Sequence, residues 1–225
     1  MTGKRHEEAS WPSLQALIDT ATSDTLALPK GTFVGPAVVR RSMHIVGRGI
    51  GYSVLTGGAP LLSTEGAGVV RVEGLTMSGA VAPTGRGAAV RVEAGRVEIV
   101  DCAIENHRAV LGGAIYAAGP GTLVMTRVAL VGNRASKGGG ALAVLGAARV
   151  VLTDVSFEEN RALDAGHHIY AMRVGAGVPD IQLKAVKFSA CLGRSTGIAN
   201  VRGFEGRFTR VDTPWPADSL KVPQN

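Results

Sequence analysis

The stretch VRVEGLTM, residues 70–77, returns along the chain in copies that share its pattern of apolar residues. The next copy lies at residues 97–104, and further copies lie at residues 123–130, 150–157 and 181–188. In each copy apolar residues occupy every second position on either side of a short turn. This alternation is typical of β-strands and not of helices.

A second set of strand-like residues precedes the copies. Ile115, Leu142 and Ile169 follow one another at the same step as the copies, and Val90 and Leu62 are the earlier members of the set. A fixed period of about 27 residues with glycine-rich corners is typical of a solenoid whose coils stack about 4.8 Å apart. We therefore predict an all-β fold, a right-handed parallel β-helix formed by a single chain.

Stacked coils predict columns of buried side chains along the solenoid axis. The two inward columns are Val70, Val97, Leu123, Val150 and Ile181, and Met77, Ile104, Leu130, Phe157 and Phe188. Burial of each such side chain contributes about 1.5–3 kcal/mol before the loss of chain entropy is subtracted. One coil is therefore too small to fold alone.

The two ends of the chain differ from the repeat. Residues 12–22 carry apolar side chains one helical turn apart behind a Ser-Trp-Pro-Ser start, which predicts a helix that covers the N-terminal end of the solenoid. We divide the chain into an N-terminal tail with a capping helix (1–24), the parallel β-helix (25–212) and an irregular C-terminal tail (213–225).

Composition narrows the function classes. Hydrophobic residues make up 45% of the chain but aromatic residues only 4%, which indicates a narrow core of small and branched side chains. The net charge of +6 comes from arginines scattered along the chain without a run of like charges, a pattern that disfavours nucleic acid as a partner. No apolar stretch is long enough for a membrane span, and no secretory signal is visible. We expect a cytoplasmic protein, or a secreted one if a leader has been removed.

The residues also carry a family resemblance. Residues 19–33 and 43–49 look like the entry to pectin-lyase-like right-handed β-helices. The later coils resemble the repeats of bacterial polymorphic outer-membrane proteins, which pair a Phe-x-x-Asn with a Gly-Gly-Ala-Ile. Here these are residues 157–160 and 112–115, with the variant Leu-Val-Gly-Asn at 130–133. The resemblance implies the fold, whereas the function varies among lyases, hydrolases, isomerases, adhesins and scaffolds.

Two polar columns follow from the same spacing. They are Asn106, Asn133 and Asn160, and Asp101, Arg127 and Asp154. We predict that the asparagines form a structural ladder, because an amide can bond the equivalent amide one coil away. The second column is predicted to be a surface ladder of alternating charge, since a calcium or catalytic site requires convergent carboxylates.

Enzymes of the pectin-lyase-like group place several acidic residues close together. The outward columns found here are His44, Arg71, Glu98, Val124, Val151 and Gln182, and Thr76, Ala103, Ala129, Ser156 and Lys187. Only one carboxylate occurs in them, whereas cleavage of a glycosidic bond needs a pair about 5–9.5 Å apart. We predict no catalytic residue, no metal site and no cofactor, and an enzyme is the less favoured hypothesis.

Residues 166–170, Gly-His-His-Ile-Tyr, depart from the repeat, because the equivalent coils have Gly-Ala where this one has two histidines. His168 is predicted to point outward beside Tyr170. Adjacent histidines on a strand point to opposite faces, so they are not expected to share a metal ion. We predict a ligand or partner surface formed by His167, His168, Tyr170, Tyr116 and Arg91, with the two tyrosines as exposed aromatic rings.

Three functions fit these features. The favoured one is a non-enzymatic interaction module or scaffold that binds a protein partner, or a glycan, along a rigid face. The alternative is a polysaccharide lyase or hydrolase of the pectin-lyase-like group. A third is end-to-end assembly into a structural element, against which the predicted caps argue.

Overall fold

The computed structural model describes residues 12–66, 68–189 and 207–211. Strands make up 61% of the described residues and form a parallel β-solenoid of about 6 turns with about 27 residues per coil, which confirms the predicted fold class. The predicted C-terminal tail, residues 213–225, and Cys191 lie outside the described residues. The helix that the structure describes is too short to cross a membrane.

One helix, α1, precedes the strands and spans Leu14–Thr20. The strands are β1 (Thr25–Ala27), β2 (Gly31–Val39), β3 (Met43–Val46), β4 (Ser53–Thr64), β5 (Val69–Glu73), β6 (Thr76–Ser78), β7 (Val81–Arg86), β8 (Val90–Val92), β9 (Arg96–Glu105), β10 (Arg108–Leu111), β11 (Ile115–Ala118), β12 (Thr122–Val131), β13 (Arg134–Gly138), β14 (Leu142–Leu145), β15 (Arg149–Thr153), β16 (Ser156–Glu158), β17 (Arg161–Ala162), β18 (Ile169–Met172), β19 (Asp180–Lys184), β20 (Lys187–Phe188) and β21 (Arg207–Val211).

Each complete coil has three sides. The strands predicted from the repeat join into one 17-stranded sheet that wraps two of them. The third side is a separate four-stranded parallel sheet of β7, β10, β13 and β17, which the sequence did not predict. These strands are short and alanine-rich, so their alternation of buried and exposed residues is easily missed. They carry the candidate functional site described below.

The predicted columns are confirmed by the strand register. Val70, Val97, Leu123, Val150 and Ile181 are successive partners and are all buried. The column that runs from Met77 to Phe188 is in register too. Leu62, Val90, Ile115, Leu142 and Ile169 form a third. Cys102 lies in the core, and burial raises the pKa of its thiol to about 11.

The long strands bend at a residue with left-handed backbone. The residues at this bend have φ between 51° and 64° and are Gly74, Asp101, Arg127, Asp154 and Ala185. Side chains at the bend point outward, and Arg127 donates to both carboxylate oxygens of Asp101, at 2.6 and 2.7 Å. The predicted ladder of alternating charge is thus present between Asp101 and Arg127, while Asp154 acts on Arg127 only as a nearby charge.

The N-terminal end of the solenoid is capped by α1. Leu14 and Ile18 are buried against the first coil, and Ser13 caps the helix by accepting from the N–H of Ala16 at 3.4 Å. The Gln15 amide occupies the exposed edge of β2: its Oε1 accepts from the N–H of Val38 at 2.7 Å. The helix is shorter than the predicted 12–22, because residues 12 and 13 instead continue the pairing along β2.

Candidate functional site

A buried polar column runs along one corner of the solenoid and consists of His107, Asn133 and Asn160. None of the three side chains is exposed to solvent. The backbone N–H of His107 donates to Oδ1 of Asn133, and that of Asn133 donates to Oδ1 of Asn160, both at 3.0 Å. The N–H of Ala80 likewise donates to Nδ1 of His107 at 3.1 Å. Each side chain thus satisfies a buried amide of the preceding coil, and we call this column the inner ladder.

The asparagine amide groups add a second link between coils. Nδ2 of Asn133 donates to the carbonyl of Ile104 and Nδ2 of Asn160 to that of Leu130, each at 2.9 Å. A buried polar group left without a partner costs about 1–3 kcal/mol, so these bonds hold the corner together. The inner ladder is therefore a structural element and sets the backbone of the residues that follow it.

Asn106 does not belong to this column, so its predicted place in the ladder is wrong. Its side chain is exposed and its backbone is left-handed (φ 60°), as is that of Gly79 and Gly132 in the neighbouring coils. The register explains the error, because the coil from Ile104 to its partner Leu130 is one residue shorter than the usual repeat. A step of about 27 residues from Asn106 therefore reaches Asn133, one position beyond Gly132, which is the residue that stacks on Asn106.

The inner ladder ends on His168. Nδ1 of His168 lies 3.3 Å from Nδ2 of Asn160, and its Nε2 lies 3.1 Å from the carbonyl of Ser189. The ring packs against both Phe157 and Phe188, with centroid distances of 5.8 and 5.7 Å. Burial lowers the pKa of His168 to about 4, so the ring is neutral at physiological pH.

The predicted outward orientation of His168 is thus wrong. Gly166 has left-handed backbone (φ 60°) and turns the chain at this corner, so the in–out alternation of a strand begins only after His168. Tyr116 is also buried, at 3% exposure, because it lies under Arg86, which donates to its hydroxyl at 2.9 Å. The prediction of two exposed aromatic rings is therefore wrong for Tyr116.

The remaining residues of that predicted surface separate into two places. Tyr116 belongs to a small apolar cluster outside the main core, and Tyr170 packs against this cluster. Arg91 is the register partner of Tyr116 and forms an ion pair with Glu93. His167 lies elsewhere, half-buried, and its Nδ1 accepts from the N–H of Ala162 at 3.0 Å. The pKa of His167 is lowered mainly by burial and, to a smaller extent, by the charge of Arg161. The five residues do not form one site.

The residues that directly follow the inner ladder form a column on the outside of the same corner. Arg108, Arg134 and Arg161 are register partners in β10, β13 and β17, and all three are exposed. The N–H of Arg134 donates to the carbonyl of His107 at 2.8 Å, and that of Arg161 to the carbonyl of Asn133 at 2.9 Å. We call this column the arginine ladder. Its backbone is held by the inner ladder.

A groove of about 430 Å³ runs along the arginine ladder. The buried Ala82, Ala109 and Ala135, which are only 4–8% exposed, lie beneath its floor, and Val81 and Leu163 lie at its two ends. Val81 is 52% and Leu163 70% exposed. Among the described residues that line the groove, none is acidic and none is aromatic. The groove thus combines one row of positive charge with exposed apolar side chains at its two ends.

The arginine ladder lacks the ion pairs that many other arginines form. In the described residues, seven arginines elsewhere form ion pairs: Arg40, Arg41, Arg71, Arg91, Arg96, Arg127 and Arg149. Within the described part of the chain, no carboxylate lies within ion-pair distance of Arg108, Arg134 or Arg161. Like charges directly opposite each other on neighbouring strands destabilise a sheet. A column of three is therefore a feature that the fold does not need.

A different face of the solenoid carries acidic residues that are paired. Arg71 binds Glu73 at 2.9 Å and Glu98 at 3.3 Å, and Nε2 of His44 lies 3.1 Å from Glu73. The hydrogen bond from Arg96 lowers the pKa of Glu98, which keeps the carboxyl ionised. A general acid for glycoside cleavage needs a raised pKa instead. This face, which we call the paired face, is a self-compensated network.

Sequence reasoning missed the arginine ladder because it looked for runs of like charge. The three arginines come from three successive coils and become neighbours only through the stacking of those coils. The signal was nevertheless present, since their spacing repeats the steps from Ile104 to Leu130 and from Leu130 to Phe157. Alignment of the third side of each coil by those steps would have found it.

No family model matches the chain, and the search of curated proteins finds no match. The likeness to pectin-lyase-like and polymorphic outer-membrane repeats therefore stays a resemblance in a few motifs. In the described residues, no group of three or more His, Cys, Asp or Glu side chains is placed to hold a metal ion.

Proposed function

We propose that this chain is a non-enzymatic interaction module that binds an acidic protein partner along the arginine ladder. The observation that carries the proposal is the in-register column of Arg108, Arg134 and Arg161 along the groove. Arginine is enriched in protein interfaces and binds carboxylates through two parallel hydrogen bonds. A partner that carries carboxylates would relieve the repulsion within the column.

The rigidity of the corner supports binding. Each arginine follows a residue whose side chain or backbone is bonded to the neighbouring coil, so the backbone of the ladder is ordered before a partner arrives. A preorganised surface loses less conformational entropy on association. Only the arginine side chains need to become ordered.

The lining of the groove favours a protein over a glycan or a nucleic acid. Single-stranded nucleic acids bind through aromatic side chains on which the bases stack, and the described lining residues include none. The exposed side chains of Val81 and Leu163 instead match apolar side chains. An acidic protein segment with apolar residues uses both parts of the groove.

The first experiment measures binding of fluorescent poly-L-glutamate by anisotropy, with heparin and a single-stranded oligothymidylate as competing classes. The variant carries Arg108→Gln, Arg134→Gln and Arg161→Gln. The control carries Arg40→Gln, Arg41→Gln and Arg149→Gln, which removes the same net charge from ion-paired positions. We expect the ladder variant to lose at least about tenfold in affinity for polyglutamate and the control to change much less.

Two results would overturn the proposal. Equal weakening in both variants would show that only net charge matters. Binding of heparin or the oligonucleotide through the three ladder arginines, more tightly than polyglutamate at the same salt concentration, would assign the groove to another class of ligand.

A further inference from the structure

We infer that His167 is a positioning residue that holds Arg161, the last member of the arginine ladder, in place for binding. The inference rests on the proposed function and names a further residue of that same site. His167 acts through the backbone next to Arg161 and not by touching the partner. The observations that carry it are the short edge strand on which Arg161 lies and the side chains that hold this strand.

Arg161 lies at an edge of the four-stranded sheet, unlike the other two members of the ladder. Arg108 and Arg134 each have a partner strand on both sides. β17, which carries Arg161, is two residues long, and β13 is the one strand it pairs with in the described part of the chain. A short edge strand opens more easily than one held on both sides. The position of Arg161 therefore depends on contacts from outside the sheet.

His167 supplies one of these contacts. The N–H groups of Arg161 and Leu163 donate to carbonyls of the preceding coil, at 2.9 and 3.2 Å. N–H groups alternate in direction along a strand, so that of Ala162 points the other way, towards the position of a further coil. Nδ1 of His167 accepts it there at 3.0 Å. The imidazole thus takes the place of the carbonyl that a further strand would supply.

The position of His167 is occupied by glycine in the two preceding coils. Gly113 and Gly140 stand there, each two residues before register partners in β11, β14 and β18. A Cβ atom at Gly113 would lie 2.5 Å from the carbonyl oxygen of Arg134 in the next coil. One at Gly140 would lie at the same distance from the backbone nitrogen of Arg161, again in the next coil. A side chain at this position is therefore incompatible with a further coil stacked in the same register, and His167, which carries one, takes the place of that coil.

The residue on the other side of Arg161 is held in a similar way. Nδ2 of Asn133 donates to Oδ1 of Asn160 at 3.0 Å, a bond from one coil to the next. Nδ2 of Asn160 instead faces Nδ1 of His168, at 3.3 Å. Burial lowers the pKa of His168 to about 4 and also lowers that of His167, so both rings are neutral at physiological pH and can accept at Nδ1. Both chain neighbours of Arg161 are therefore fixed by a histidine nitrogen.

The consequence for binding follows from preorganisation. An arginine on a fixed backbone loses only side-chain freedom when a carboxylate binds, whereas one on an open strand also loses backbone freedom. Without the bond from Ala162 to His167, Arg161 would therefore contribute less to the affinity. Arg108 and Arg134 would contribute as before, because strands on both sides hold them.

The test is a double-mutant cycle on the binding of fluorescent poly-L-glutamate, measured by anisotropy at low ionic strength. His167→Gly places the residue of the two preceding coils at this position and removes the acceptor without changing the net charge. We expect about threefold weaker binding both in the otherwise unmodified protein and in an Arg108→Gln background. In an Arg161→Gln background, His167→Gly should have no further effect, because the side chain that it positions is gone.

His167→Asn is the matched rescue variant. Oδ1 of asparagine and Nδ1 of histidine are both bonded to Cγ, and the inner ladder uses them for the same task at Asn133 and His107. Asparagine should therefore restore the affinity to within about 1.5-fold of the original value. Hydrogen exchange gives a second readout: the amide of Ala162 should exchange at least about tenfold faster in His167→Gly, with that of Arg134 unchanged.

Three results would contradict this inference and leave the acidic-partner module intact. Equal weakening by His167→Gly in the Arg161→Gln and Arg108→Gln backgrounds would mean that His167 supports the whole groove. Unchanged affinity in His167→Gly, whether or not the Ala162 amide exchanges faster, would show that this bond does not position Arg161. Failure of asparagine to restore the affinity would show that the acceptor at Nδ1 is not what fixes the arginine. If polyglutamate does not bind the unmodified protein, the proposed function and this inference fail together.

Discussion

The inner ladder and the arginine ladder are adjacent in the sequence and lie on opposite sides of the same corner. His107, Asn133 and Asn160 are fully buried, and every asparagine amide in that column bonds a neighbouring coil. Arg108, Arg134 and Arg161 are exposed and stack charges of one sign. The first column contributes to stability and the second opposes it.

This difference separates the residues that make the fold from those that use it. In a solenoid, any residue repeated in every coil becomes a column, whether or not the column is favourable. The paired face shows the usual solution, in which acids and bases alternate. A column that keeps like charges together does not favour folding, and for this reason we propose that it binds a ligand.

The largest effect is expected from the inner ladder. Asn133→Leu removes the acceptor for the N–H of His107 and the donor for the carbonyl of Ile104. Because each orphaned buried group costs about 1–3 kcal/mol, we expect a loss of about 2–5 kcal/mol in unfolding free energy. Urea denaturation followed by circular dichroism measures it.

Asn106→Gly is the matched control for that variant. Glycine occupies the equivalent position in both neighbouring coils, at Gly79 and Gly132, so stability should change by less than about 0.5 kcal/mol or rise slightly. If Asn106→Gly were as damaging as Asn133→Leu, the register of the inner ladder described here would be incorrect.

A smaller effect should follow from acid. Burial lowers the pKa of His107 and His168 to about 4, whereas a histidine in the unfolded chain has a pKa of about 6.5. The unfolded state therefore binds protons first, so stability is fully present above about pH 6.5 and declines as the pH falls towards 4. At pH 5.5 each histidine should account for roughly 1 kcal/mol.

His107→Asn sharpens this prediction. Asparagine at this position would extend the inner ladder and could donate to the Met77 carbonyl, as Asn133 does to Ile104. No hydrogen-bond partner for Nε2 of His107 is found in the described residues. Urea unfolding at pH 7.5, 5.5 and 4.5 should show a clearly shallower pH dependence for the variant. An unchanged slope would mean that His107 is not titrating in this range.

The smallest effects concern the arginines themselves. Arg134→Gln removes repulsion and should leave the unfolding free energy equal or raise it by up to about 0.5 kcal/mol. Arg71→Gln, on the paired face, should lower it by a few tenths to about 1 kcal/mol. Thermal unfolding at low ionic strength compares the two. The same sign for both would remove the distinction between the two faces.

Most of the solenoid was predictable because its strands repeat a simple alternation. The columns through Val97 and Ile104 follow directly from the spacing of apolar residues. The four-stranded sheet was not predictable in this way, since its buried side chains are alanines that carry little hydrophobic signal. The coil from Ile104 to Leu130, which contains β10, is also one residue shorter than the next, so a fixed step loses the register.

The candidate site was missed for related reasons. His168 follows a left-handed glycine, where strand alternation does not apply, and its burial depends on Phe157 and Phe188, which come from other coils. To find the arginine ladder from the sequence, one needs the correct number of residues between equivalent positions on the third side of the coil. A search for charge patterns along the chain does not detect residues that become neighbours only through the stacking of coils.

The Gln15 amide, finally, acts as a chain terminator in the sense used for polymers. A strand edge such as that of β2 is a growing end, onto which another coil can add through its free N–H and C=O groups. In this chain a side-chain amide already occupies the N–H of Val38, and the Pro12 carbonyl occupies that of Val34. Addition of a second molecule along β2 would first require displacement of α1, so this strand edge is protected from head-to-tail growth.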